Sequence, residues 1–176
     1  SMNFLLIGIG IILLSGLISW VCLKPSPQVS KVGASGLIVG SLLCLIPVLQ
    51  ILLGHPTQSF YLSWSLPYAS FFLKLDPLSA FFLLPLLGLS CLAGIYAASY
   101  LKPFQHSHKI KRAWFFFNLL IASMIFVFLA HNAILFLIAW ELMTLSSFFL
   151  VTLEDEKQEG QEAGQIYLVA THLGTF

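Results

Sequence analysis

Residues 113–130, AWFFFNLLIASMIFVFLA, and residues 133–153, AILFLIAWELMTLSSFFLVTL, are two apolar runs joined by His131 and Asn132. An α-helix rises 1.5 Å per residue, so each run is close to the roughly 20 residues needed to cross about 30 Å of hydrocarbon. Across both runs one Asp, Glu, Lys or Arg occurs, Glu141. A helix on the surface of a water-soluble domain would carry charged positions between its apolar stripes, and these runs have none to spare. Asn132 is suited to cap the second helix, because its side chain can accept from a free N–H of the first turn. The pair therefore reads as a transmembrane helical hairpin.

The rest of the chain agrees. Apolar residues make up 59% of the 176, charged residues 9%, and mean hydropathy is +0.95. An ordinary soluble domain has roughly 45–50% apolar and about 25% charged residues. The expected fold class is all-α, a polytopic transmembrane helix bundle of about five complete spans and a sixth that is cut. The expected spans are about 3–23, 33–53, 77–101, 113–130, 132–153 and 164–176, forming a single transmembrane domain over 1–176. The first is not read as a signal peptide, since no basic segment precedes it and no small-residue cleavage site follows.

Local signals set the boundaries. Lys24-Pro25-Ser26-Pro27 breaks the chain after the first span. Gly36 and Gly40 form a GxxxG face for close packing in the second, which Pro47 is expected to bend. Residues 54–76 mix prolines, serines and aromatics and read as an interfacial excursion with Tyr61, Trp64 and Tyr68 at headgroup level. Asp76 before Pro77 is a strong helix start. The third span is expected to carry Ser90, Gly94 and Ala98 along one side and a kink at Pro85. Seven of the eight Lys and Arg lie in the loops after spans one, three and five, and only Lys74 lies after span two. By the positive-inside rule those three loops are cytoplasmic and the N-terminus is outside.

Several functions lose support here. The net charge of +1, without a basic patch interleaved with aromatics, argues against a nucleic-acid partner. Cys22, Cys44 and Cys91 sit in apolar runs with no metal-ligand spacing and read as small buried hydrophobes. His106 and His108 have no further ligand nearby in sequence and read as a solvated loop. No nucleophile–base pair or phosphate loop is written, so no cofactor and no catalytic centre are expected on this chain.

An ionisable group inside hydrocarbon costs a few kcal/mol or more, which makes Glu141 a functional candidate by default. It lies about nine residues from Asn132 and about twelve from Leu153, roughly half way across the core. Burial raises a carboxyl pKa and a nearby cation lowers it, so such a group can exchange a proton near neutral pH when its surroundings change. Thr144, one turn on, and Ser147, within two turns, offer hydroxyls for a proton path. His172 in the sixth segment is the second candidate, at a depth of roughly 12 Å against roughly 18 Å for Glu141 from the intervening loop. Asn118 in the fourth span is a supporting polar residue. The plainer alternatives are that Glu141 stays protonated as packing glue, that His172 donates to a nearby backbone carbonyl or hydroxyl, and that Asn118 only joins helices.

Three stretches carry a family resemblance. Residues 139–151, AWELMTLSSFFLV, resemble the fifth helix of the antiporter-like membrane subunits shared by respiratory complex I, multisubunit cation/proton antiporters and membrane-bound hydrogenases. Residues 75–82, LDPLSAFF, resemble that superfamily's entry to helix three, and residues 163–175, AGQIYLVATHLGT, its helix six. The Ser-Ser after the Glu motif and the Thr-His-Leu-Gly pattern look most like hydrogenase-4 component B and the corresponding formate hydrogenlyase subunit.

The resemblance implies a proton-translocating subunit driven by redox chemistry in a peripheral arm, working with other membrane subunits in a bacterial or archaeal cytoplasmic membrane. It implies that Glu141 pairs with a helix-seven lysine, which these residues do not reach, and that the chain is the N-terminal part of a longer subunit. A cation/proton antiporter subunit without a redox partner is the nearest alternative, and a non-transporting membrane scaffold is a third.

Overall fold

The computed structural model describes residues 2–63 and 70–153, together with residues 166, 169, 170, 173 and 174. Its helices are α1 (Met2–Val21), α2 (Pro27–Leu52), α3 (Pro77–Tyr100), α4 (His108–Leu129) and α5 (Ala133–Val151), with strands β1 (Gln58–Ser63) and β2 (Ser70–Leu75) between α2 and α3. All five helices are long and apolar enough to cross a membrane. The expected sixth segment lies almost wholly outside the described residues.

Two helices begin earlier than hydropathy suggests. α2 starts at Pro27 rather than Gly33, and α4 starts at His108 rather than Ala113. Hydropathy marks only the part of a helix in hydrocarbon, whereas caps mark where the backbone turns. Pro27 occupies a first-turn position, where its missing N–H costs nothing. The Ser107 hydroxyl accepts from the Lys109 N–H at 3.2 Å. The Asn132 side chain accepts from the Ile134 N–H at 2.9 Å, as its position after His131 leads one to expect. The Asp76 carboxylate accepts from the Ser79 N–H at 2.7 Å, with Pro77 as the next residue. α2 and α3 remain continuous helices through Pro47 and Pro85.

Helices in lipid gain nothing from hiding apolar surface from tails that are equally apolar, so they associate through close contact and hydrogen bonds. α1 and α2 meet where both backbones are bare. A Cβ added to Gly40 would stand 2.6 Å from the Gly8 carbonyl oxygen, and one added to Gly8 would stand 2.6 Å from the Gly40 oxygen. Gly36 packs directly on Ser15. The GxxxG face of α2 is thus the face that receives α1, and Gly8 is the complementary small residue. α3 joins the other flank of α2, with Gly94 against Leu37 and Ser90 buried. α4 packs on α1 and α2, and α5 packs chiefly on α4.

The 54–76 excursion is a β-hairpin, which the sequence reading missed. β1 and β2 pair antiparallel from Gln58 opposite Leu75 to Ser63 opposite Ser70. Leu73 and Leu75 are fully buried in the main core with Met2, Ile51 and Leu129, so the hairpin closes the end of the bundle where α1 begins. The free edge of β2 is used as well: the His131 N–H donates to the Phe72 oxygen at 2.9 Å, and Leu73 bridges to Ala130. This satisfies backbone groups at the membrane boundary and ties the α4–α5 turn to the hairpin. Tyr61 is exposed, whereas Trp64 and Tyr68 lie outside the described residues. Of the cysteines, Cys44 is buried and Cys91 half-buried, but Cys22 is exposed, because it follows the last residue of α1.

The Ser79 N–H holds the Asp76 carboxyl below the ordinary carboxylate range against the opposing effect of burial, helped by Lys74 and His131. Because the native value is lowered, the cap's stabilisation is complete above the ordinary value of about 3.9 and is lost as pH falls through the native one. Asp76→Ala should lower unfolding free energy in detergent micelles by about 1 kcal/mol at pH 7. That difference from wild type should vanish in strong acid. Gly40→Ile should cost at least about 1–3 kcal/mol, because the side chain meets backbone that cannot turn aside. The loss of folded, monodisperse protein in size-exclusion profiles after mild heating measures it.

Candidate functional site

Glu141 is the ninth of the 19 residues of α5 and is half-buried. Among the described residues, no other helix contains an Asp or Glu. At 1.5 Å per residue it stands about 12 Å from the first residue of α5 and about 15 Å from the last. The helix buries Leu135, Ala139 and Ser146 on one face, whereas Leu137 and Leu145, one turn to either side of Glu141, are 47% and 39% exposed. The carboxylate therefore stands on the flank of α5 turned away from α4.

Thr144, one turn beyond Glu141, is buried. It lines a cavity of about 430 Å³ with Ser147, Trp140 and Met143 of α5 and Leu120 and Met124 of α4, and Gly174 reaches it too. The structure thus brings Thr144 and Ser147 to one space and places Glu141 next to it on the helix, outside its lining. The Trp140 indole N–H is buried and meets no acceptor among the described residues. A buried donor beside two hydroxyls, in a space larger than a water molecule, is the kind of place where an ordered water completes the bonding. Ser146 differs, since its hydroxyl donates at 2.6 Å to the Leu142 oxygen of its own helix.

Asn118 faces the other way. It is fully buried on the side of α4 that meets α1 and α2, and its Nδ2 donates to the Ile12 oxygen at 3.2 Å, the Ser15 hydroxyl at 2.9 Å and the Gly33 oxygen at 3.4 Å. One amide therefore joins three helices, while its Oδ1 has no donor among the described residues. Two residues cannot lie on one face of an α-helix at spacings of two or six, so Leu120 and Met124 turn the cavity away from Asn118. One turn earlier, Trp114 is fully buried with its indole N–H donating to Ser30 at 3.0 Å and its ring against Gly33.

Sequence reasoning overlooked Trp114, Trp140 and Ser15. Trp114 follows a basic segment, a position that normally marks a headgroup anchor. Its burial follows from its facing the bare Gly33, a pairing across α2 and α4 that no local pattern encodes. His172 lies outside the described residues.

Residues 130–176 match the model of a family described as NADH:quinone oxidoreductase/Mrp antiporter, transmembrane. The chain is 32% identical over 108 residues to hydrogenase-4 component B of Escherichia coli (strain K12), covering 61% of this chain and 16% of that protein. It is 32% identical over 147 residues to an uncharacterised protein of Mycobacterium tuberculosis (strain ATCC 25618 / H37Rv), covering 82% of this chain and 21% of that one. It is 27% identical over 157 residues to "Putative antiporter subunit mnhA2" of Staphylococcus aureus (strain MRSA252), covering 86% and 19%. The chain thus spans about a fifth or less of the length of the curated relatives it matches. Residues 130–176, which contain all of α5 and Glu141, carry the transmembrane segment of the NADH:quinone oxidoreductase/Mrp antiporter family, in agreement with the resemblance that the sequence motifs implied.

Proposed function

We propose that this chain is part of a proton-translocating membrane subunit of a membrane-bound hydrogenase or NADH–quinone-oxidoreductase-like complex, with Glu141 as the residue that takes up and releases the proton. The carrying observation is its position: it is the one acidic residue in the described helices, at the middle of α5, one turn from a cavity bearing two hydroxyls. A cation brought near a carboxyl favours its charged form, so a moving charge in a partner element would load and unload it. Waters held by Thr144, Ser147 and the Trp140 N–H would carry the proton between Glu141 and the α4–α5 interior. His172, at comparable depth in the sixth segment, would extend that path. Residues 1–176 act as a single transmembrane domain, with the N-terminus outside and the basic loops on the cytoplasmic side of a bacterial or archaeal inner membrane.

Hydrogenase-4 component B is by its name one component of a hydrogenase, and this favours a host with further membrane subunits and a peripheral redox arm. The similarity to an antiporter subunit favours a second reading, in which the same glutamate exchanges protons for a cation under the membrane potential alone. The two differ in their drive. Full-length protein in its complex, reconstituted in vesicles, should acidify or alkalinise the lumen only when electron donor and acceptor are supplied. Gradient-driven cation uptake without them would favour the antiporter.

In that preparation Glu141→Gln should reduce redox-linked proton movement at least tenfold with assembly intact, and an unchanged proton-to-electron ratio would contradict the role. Asn118→Leu should act differently. It removes the three-helix hydrogen bonds and should cost about 1–2 kcal/mol of stability. Proton movement per folded complex should be preserved, and its loss without destabilisation would place Asn118 in the transport path instead.

A further inference from the structure

The cavity that Thr144 lines has a neighbour further along α5. A cleft of about 280 Å³ opens at the hairpin end of the bundle, lined by Ala130, His131, Asn132, Ala133 and Phe136. On α5 the lining residues of the two spaces follow in one series, Ala133 and Phe136 at the cleft, then Trp140, Met143 and Ser147 at the cavity. Steps of three and four residues keep a series on one face of a helix. The cleft and the cavity therefore lie one behind the other along the same face, with α4 lending Met124 to the cavity and Ala130, just past its end, standing at the cleft.

Two aromatic rings stand between them. Phe136 lines the cleft, Trp140 lines the cavity, and their ring centroids are 5.8 Å apart with planes tilted by 32°. At 1.5 Å per residue, the step from Phe136 to Trp140 covers about 6 Å of the helix axis. Each water in a chain over that step would need two or more polar partners. Residues 133–139 are all Ala, Ile, Leu or Phe, so the side chains of α5 supply none there. An apolar constriction of this kind sheds water, and with it the route for a proton. The hydroxyls of Thr144 and Ser147 lie one and two turns beyond Trp140, away from the hairpin.

We propose that Phe136 and Trp140 form a seal that closes the cavity one turn from Glu141 to water from the hairpin end. The purpose of the seal rests on the proton-carrying role of Glu141. A cavity serving that carboxyl and wetted from both ends would let protons run down their gradient without doing work.

Cysteine labelling of the full-length protein tests this, because a thiol kept from water holds less of its reactive thiolate form. Native cysteines are replaced by Ala, and a single cysteine is placed at Ala133 or at Met143. Oriented vesicles then receive the membrane-impermeant trimethylammonium-ethyl methanethiosulfonate on the hairpin side. Ala133→Cys should label fast, and Met143→Cys at least about tenfold more slowly. Adding Phe136→Ser should remove most of that difference, whereas adding Phe136→Leu should keep it. Should the Ser variant fail to fold, Phe136→Ala, with its higher helix propensity, takes its place. Fast labelling of Met143→Cys with Phe136 intact would overturn the seal, as would slow labelling that Phe136→Ser and Phe136→Ala both leave unchanged. The labelling needs no proton transport, so a failed seal leaves the role of Glu141 standing, and a silent Glu141→Gln in the transport assay leaves the seal standing.

Discussion

Inside a bilayer a polar group has no water to fall back on, and each unsatisfied one costs several kcal/mol. The described structure is organised by that constraint. Ser90 and Ser146 turn their hydroxyls onto the Leu86 and Leu142 carbonyls of their own helices, and Ser79 turns its own onto the Phe128 carbonyl of α4. Asn118 spends its amide on three separate acceptors. Trp114 finds Ser30, and the β2 edge finds His131. Polar chemistry therefore locks α1, α2 and α4 together where the glycines of α1 and α2 let the backbones touch.

Against that background α5 is a different kind of element. It packs on one helix, and a large part of its surface remains uncovered within the described chain. Glu141 is half-buried on the flank of α5 turned away from α4, one turn from the hydroxyl of Thr144 that lines the cavity. An ionisable group is useful only where its surroundings can change, and a boundary between a rigid bundle and a further element is such a place. The relatives, each several times longer, give room for that element.

The helices and the candidate carboxylate were legible in the sequence because each rests on a local signal: a run of apolar residues, Asp76 before Pro77, Asn132 after His131, and one acid in oil. The GxxxG face was legible too, but its partner Gly8 was not, since a close approach needs two helices and the pattern names one. The hairpin was missed although Phe71, Leu73 and Leu75 alternate with Phe72 and Lys74, because six residues of alternation are easily lost among prolines and aromatics. The early starts of α2 and α4 were missed because hydropathy reports the solvent around a helix, not the helix. The burial of Trp114 and of the Trp140 indole nitrogen, and the opposite facing of Asn118 and the cavity, are properties of packing that only coordinates reveal.

The central claim is that Glu141 changes its protonation state during turnover, and infrared difference spectroscopy of the full-length complex reads this directly. Between resting and turning-over states, a protonated-carboxyl C=O band should appear or disappear, and it should be absent from the Glu141→Gln protein. A difference spectrum with no such band, or with one that survives the substitution, would contradict the account.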